Sequence, residues 1–252
     1  MFKKIMAAVL CGAMTIGCLT GCGEDETAEK SGIANFTAPK KGEQVIVMNI
    51  KDYGEVKIKL FPEYADKGVE NFVEHAKEGY YDGLTFHRVI SDFMIQGGDP
   101  LGTGTGGESI WGGKFDGGTD EHLIHAAGAV AYANSGATLD NPSPTASNGS
   151  QFYIVTGTVY DDATLEQMAA YYGTTFTDEA KEIYTTVGGT PWLDGGYTIF
   201  GQVYDGLDVI FEVQNVATDS ASNKPLEDVI MESVKVGEYD GEDIRWYMSD
   251  YQ

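Results

Sequence analysis

Within nine residues the chain sets a cation, Arg88, an aromatic ring, Phe93, a thioether, Met94, and an amide, Gln96. All four lie in the run FHRVISDFMIQGGDP (86–100), which closes on Gly97 and Gly98, a pair no regular element favours. Side chains alternate along a strand, so Arg88, Phe93 and Met94 converge only if the run bends near Ser91 and Asp92. A cation beside two soft apolar groups around one hollow suits an apolar ligand with a polar edge. On composition alone the better fit is a core strand ending in a glycine turn, with Arg88 snorkelling to water.

Other chemistries find little support. The three cysteines, Cys11, Cys18 and Cys22, all precede the folded region, which therefore has no disulfide, thiol nucleophile or thiolate ligand. No G-x-S-x-G elbow places a nucleophilic serine. His122 and His125 are spaced like a metal pair but lack an H-E-x-x-H frame, so they, His75 and His87 read as structural and no metal site is expected. Residues 102–107, GTGTGG, satisfy G-x-G-x-x-G, yet Ser109, Ile110 and Trp111 do not open the helix a dinucleotide site needs. A surface loop is expected there, and no cofactor.

The chain has 252 residues, 42% hydrophobic, enough for one sizeable core. Fifteen Tyr and 33 Gly against seven Pro point to strands and tight turns. With 16 Lys and Arg against 39 Asp and Glu, the net charge of −23 argues against nucleic acid as a partner. A basic end (Lys3, Lys4) and an apolar run (5–19) read as a secretory leader over 1–21, and Leu19-Thr20-Gly21-Cys22 resembles the bacterial lipobox. The expectation is an extracytoplasmic protein, lipid-anchored to the bacterial cell membrane through Cys22, with a flexible tether over 22–42.

The domain expected over 43–238 opens with a hairpin, two alternating runs about Asp52-Tyr53-Gly54. Val69, Phe72, Val73 and Ala76 then mark an amphipathic helix within 65–78, stopped by Gly79. Leu207, Ile210 and Phe211 mark another helix, and Ile230, Val234 and Val236 a last strand. The acidic tail over 239–252 carries Trp246, Tyr247 and Tyr251.

The opening run, then GTGGESIWG (104–112), YANSG (132–136), NGSQFYIV (148–155) and WLDGGYTIFGQV (192–203), resembles in order and chemistry the signature blocks of the cyclophilin family of peptidyl-prolyl cis-trans isomerases, over about 44–236. The resemblance implies a mainly β fold, a closed eight-stranded antiparallel barrel capped by two α-helices. Against that plan this chain inserts about 30 residues, 159–190, in which Leu165, Met168, Ala169 and Tyr172 form one helical stripe and Ala180, Ile183, Tyr184 and Val187 another. A helical hairpin turning at Gly173 is expected, near the groove.

The same resemblance implies Arg88 as catalytic donor and a proline pocket of Phe93, Met94, Tyr153 and Leu193. Gln96, Gln151, Ala133, Asn134 and Ser135 would hold the peptide, and His87 would support the edge. Trp192 stands where the family binds cyclosporin, making that inhibitor an expected ligand. Tyr153 replaces the usual second phenylalanine, and its hydroxyl needs a partner if buried. Tyr197 stands where the rim often has histidine. The implied substrates are Xaa-Pro segments of folding secreted proteins, acted on by a monomer. The alternative is a proline-peptide-binding module or holdase, for which a donor aimed at the prolyl nitrogen would be unnecessary.

Overall fold

The computed structural model describes residues 32–251. The leader, Cys22 and the first part of the expected tether lie outside these residues. No helix among them is long and apolar enough to cross a membrane.

β1 (Gln44–Ile50) and β2 (Gly54–Leu60) form the expected hairpin. Ile46, Met48, Val56 and Ile58 of its inward face are fully buried. α1 (Asp66–Lys77) follows, then β3 (Arg88–Ile90), β4 (Met94–Gly97), β5 (Ala129–Tyr132) and β6 (Phe152–Val155). The insertion carries α2 (Asp162–Tyr172) and α3 (Asp178–Thr186), and β7 (Ile199–Asp205), α4 (Leu207–Val213) and β8 (Met231–Glu238) complete the domain.

All eight strands join one antiparallel sheet in the order β3-β4-β6-β5-β7-β2-β1-β8. The expected closed barrel is here a half-barrel, because no ladder joins the edge strands β3 and β8. β3 is only three residues long, and the turns before it, with Gly79 and Gly83 at φ 69° and 82°, cannot extend a ladder. A seam takes its place: Thr85 bridges Ile230, Met231 donates to Leu84 O at 2.8 Å and Phe86 to Val229 O at 2.9 Å.

α1 packs its apolar stripe into this shell. Phe72 meets Tyr81, Phe152 and Phe200 at centroid distances of 4.7, 5.1 and 4.9 Å. Burying such a ring contributes about 2–3 kcal/mol. From α4, Leu207, Ile210 and Val213 are buried, whereas Phe211 stays partly exposed.

In the insertion, Asp161 and Thr177 cap the two helices by accepting from Thr164 and Ala180 N–H, and Gly173 ends α2 at φ 68°. Leu165 alone is buried from α2, and Tyr172 is 55% exposed. α3 buries Ala180 and Tyr184.

The expected tether is seated on the domain from residue 33. Ala34 N donates to His122 O, and the buried Asn35 amide donates to Ile124 O and Gln202 Oε1 while accepting from Ile124 N. An apolar period could not announce this docking, because one carboxamide satisfying buried backbone groups leaves no periodic trace. Phe36 then packs on Trp246 and Tyr247 of the tail.

Two buried histidines make stability depend on pH. Burial holds the His75 and His87 imidazoles below their ordinary range, and neither ring nitrogen of His87 has a partner among the described residues. Below the unfolded value near 6.5 the unfolded chain takes up protons that the folded one refuses, so stability falls with pH, by at most about 1.4 kcal/mol per pH unit for each histidine. Asp99 works in another window. Burial pulls its carboxyl up, but N–H groups of Leu101, Gly106, Thr103 and Gly104 prevail and hold it low, so its contribution is lost only in stronger acid. Urea unfolding at pH 7, 6 and 5 should show a decline that His87→Asn lessens; a flat profile would contradict it.

Candidate active site

β3 and β4 pair Arg88 with Gln96, and β4 and β6 pair Gln96 with Tyr153. The sheet thus lines up a guanidinium, an amide and a phenol in one row. The hairpin turns where the sequence requires, with Asp92 in the left-handed region at φ 58° and its N–H held by Gln214 Oε1. Asp is among the few non-glycine residues that tolerate this conformation.

The row floors a cavity of about 210 Å³. Arg88, Phe93, Met94 and Gln96 line it from the hairpin, Ala133 and Asn134 from the segment after β5, Tyr153 from β6, and Leu193 and Tyr197 from the lip before β7. Met94 and Tyr153 are buried, and Arg88, Phe93 and Gln96 half-buried. Arg88 Nη1 donates to Gln96 Oε1 at 3.1 Å, Gln96 Nε2 to Gln151 Oε1 at 3.0 Å, and Gln151 Nε2 to Gly106 O at 2.8 Å. This relay sets the direction of the guanidinium. Arg88 makes no ion pair among the described residues, so its remaining N–H donors are available to a ligand.

Four of the expected site residues do not line the cavity. Gln151 acts through Gln96. Ser135 donates its N–H to Ser147 Oγ, and His87 is buried behind Arg88 with its ring beside Gly104. Trp192 flanks the mouth, its ring 6.0 Å from Phe93 and 6.4 Å from Tyr160. Asn134 donates its side-chain amide to Gly196 O and accepts from Gly136 N, which fixes the carboxamide on the cavity wall.

The Tyr153 hydroxyl finds its partner in His125 Nε2 at 3.0 Å. Burial pushes that phenol up, so it stays a donor. His125, read from the sequence as structural, is a buried structural histidine here; that it serves Tyr153 was signalled only by the need of a buried phenol for a partner. The glycine-rich loop proves to be a cradle for Asp99, whose carboxylate accepts N–H groups from Leu101, Thr103, Gly104 and Thr105. Among the described residues no three His, Cys, Asp or Glu side chains converge as metal ligands would. The site is a hollow with apolar groups from Phe93, Met94 and Leu193, polar groups from Gln96 and Asn134, and one aimed cation, Arg88.

Residues 45–236 match the family model described as cyclophilin type peptidyl-prolyl cis-trans isomerase. A Staphylococcus aureus (strain USA300) protein named as a peptidyl-prolyl cis-trans isomerase is 45% identical over 199 residues, 79% of this chain and 94% of its own length. A protein of the same name from Staphylococcus haemolyticus (strain JCSC1435) is 43% identical over 183 residues, 73% of this chain and 86% of its own. Among solved structures, a Cryptosporidium parvum cyclophilin type peptidyl-prolyl cis-trans isomerase in the presence of the dipeptide Ala-Pro has TM-score 0.59 and 29% identity, covering 77% of this chain and 99% of that one. A second structure of the same protein has TM-score 0.60 at 30% identity, covering 78% of this chain and 98% of that one. The chain belongs to the cyclophilin-type peptidyl-prolyl cis-trans isomerases.

Proposed function

We propose that this isomerase speeds Xaa-Pro rotation in polypeptides folding outside the cytoplasm, as a monomer held at the bacterial membrane by lipid on Cys22. Amide resonance sets a barrier of ~20 kcal/mol to that rotation. In the twisted transition state conjugation is lost, and the prolyl nitrogen becomes a pyramidal acceptor. A donor that finds its acceptor only in that state lowers the barrier without covalent chemistry.

Arg88 is the donor, and Phe93, Met94, Tyr153 and Leu193 receive the proline ring. Gln96 aims Arg88 and, with Asn134, holds the peptide, while Ala133, Ser135, Gln151 and His87 build the edge. Trp192 and Tyr197 flank the entrance, where cyclosporin would compete with substrate. The observation that carries this reading is the guanidinium tethered by Gln96 at a cavity that also presents Phe93, Met94 and Leu193. The Ala-Pro dipeptide of the Cryptosporidium parvum structure supports a proline-containing ligand. The test compares parent and Arg88→Ala on an Xaa-Pro peptide; equal rates would leave a peptide binder and remove the catalyst.

The anchor is tested separately. Cys22→Ser is expected to shift the protein from the membrane to the soluble fraction of a bacterial host that lipidates such leaders. Unchanged membrane association would refute lipidation at Cys22.

A further inference from the structure

The isomerisation as described makes no use of Tyr184 on α3, Asp194 or the far side of His125, yet the three are joined to the cavity without a gap. Asp194 Oδ1 accepts from both His125 N–H and Nδ1–H at 2.8 Å, and Asp194 Oδ2 accepts from the Tyr184 hydroxyl at 2.6 Å. With Nδ1 donating to a carboxylate, Nε2 carries the lone pair and accepts from Tyr153. His125 and Tyr184 are fully buried, so no substrate touches either. Burial pushes the Tyr184 hydroxyl up, which keeps it a donor.

The backbone leaves this chain of contacts no slack. Gly189 sits at φ 148°, and a Cβ there would stand 2.2 Å from His125 O and 2.8 Å from Tyr184 Cε1. The end of the insertion therefore passes between the histidine backbone and the tyrosine ring. Asp194 directly follows Leu193 of the cavity wall and Trp192, which faces Phe93. Whatever holds Asp194 also holds that lip.

We propose that Tyr184, Asp194 and His125 are positioning residues through which the inserted helix α3 fixes the lip and floor of the proline cavity. The insertion thereby sets substrate affinity from a tyrosine wholly out of reach of substrate. Resting on the cavity as the proline site, the proposal has its own readout. Planar and twisted proline press on the lip alike, so loosening it weakens both states equally.

Tyr184→Phe, which removes one hydroxyl, is expected to raise KM on an Xaa-Pro peptide by about fivefold with kcat within about twofold of the parent. Asp194→Ala leaves three donors of buried residues without their acceptor; in protein shown by its melting temperature to be folded, it is expected to raise KM by as much or more. Adding Tyr184→Phe to Asp194→Ala should raise KM no further, because the partner is already gone. Unchanged KM in a folded single variant, or effects that simply multiply in the double variant, would overturn the relay. A merely structural hydroxyl would lower the melting temperature and leave KM where it was. Arg88→Ala on the same peptide reports on the proline site itself, so a failure there is distinguishable from a failure here.

Discussion

Arg88→Ala is expected to lower kcat/KM on an Xaa-Pro peptide about a hundredfold, the effect of losing one transition-state donor at ~3 kcal/mol. Most of the loss should fall on kcat, since the proposed bond to the prolyl nitrogen would exist only in the twisted state. The fold should survive. Arg88 is half-buried on the edge strand β3 and its one hydrogen-bond partner among the described residues is Gln96, which keeps its own bond to Gln151. Arg88→Lys should recover little activity, because an ammonium on a flexible stem cannot hold Gln96 Oε1 and also present a second donor in fixed geometry. Far-UV circular dichroism and the melting temperature establish that the variant is folded. A coupled isomerase assay then decides, and parental rates in Arg88→Ala would end the donor mechanism.

The hairpin, α1 and the bend at Ser91 and Asp92 were legible because each is governed by local rules: a period of two, a period of 3.6, and a turn at a residue that tolerates positive φ. Closure of the sheet was not legible. It depends on whether the turn-rich stretch before β3 can ladder with β8, and the seam at Thr85 and Ile230 joins residues far apart in sequence. The insertion stripes located α2 and α3 but overstated what α2 buries, because a stripe reports amphipathicity and not which part of it meets a partner. The docking of Asn35 and the partners of His125, itself rightly read as structural, escaped for a shared reason. Each residue completes hydrogen bonds of groups distant in the chain, and polar satisfaction has no period. For the cavity, Arg88, Phe93 and Met94 carried their chemistry in their types, whereas Tyr153 and Leu193 join them only through strand register and the lip.

Gly98→Ala is expected to cost about 3 kcal/mol or more, in the range reserved for backbone clash at a special conformation. Gly98 stands at φ 81°, and an added Cβ would lie 2.5 Å from Ser150 O, 2.9 Å from Phe152 Cδ1 and 3.2 Å from Gln151 Cα. The first contact is with backbone, so no side-chain rotation relieves it. Gly98 O also accepts from Ser150 Oγ at 2.6 Å, which presses the two segments together. At ~2–4 °C per kcal/mol for a domain of this size, the melting temperature should fall by roughly 6–12 °C. Gly97→Ala is the informative control, since the atoms its Cβ would meet all lie at 3.2 Å, two of them side-chain atoms of Met231 and Phe86. Because Gln151 is displaced with Ser150, Gly98→Ala should also slow isomerisation at temperatures where it remains folded, through the relay from Gln151 to Gln96 to Arg88. A melting temperature within ~2 °C of the parent would show that β4 and β6 can part without penalty, and the tight β4–β6 seam would then no longer explain how Arg88 is aimed.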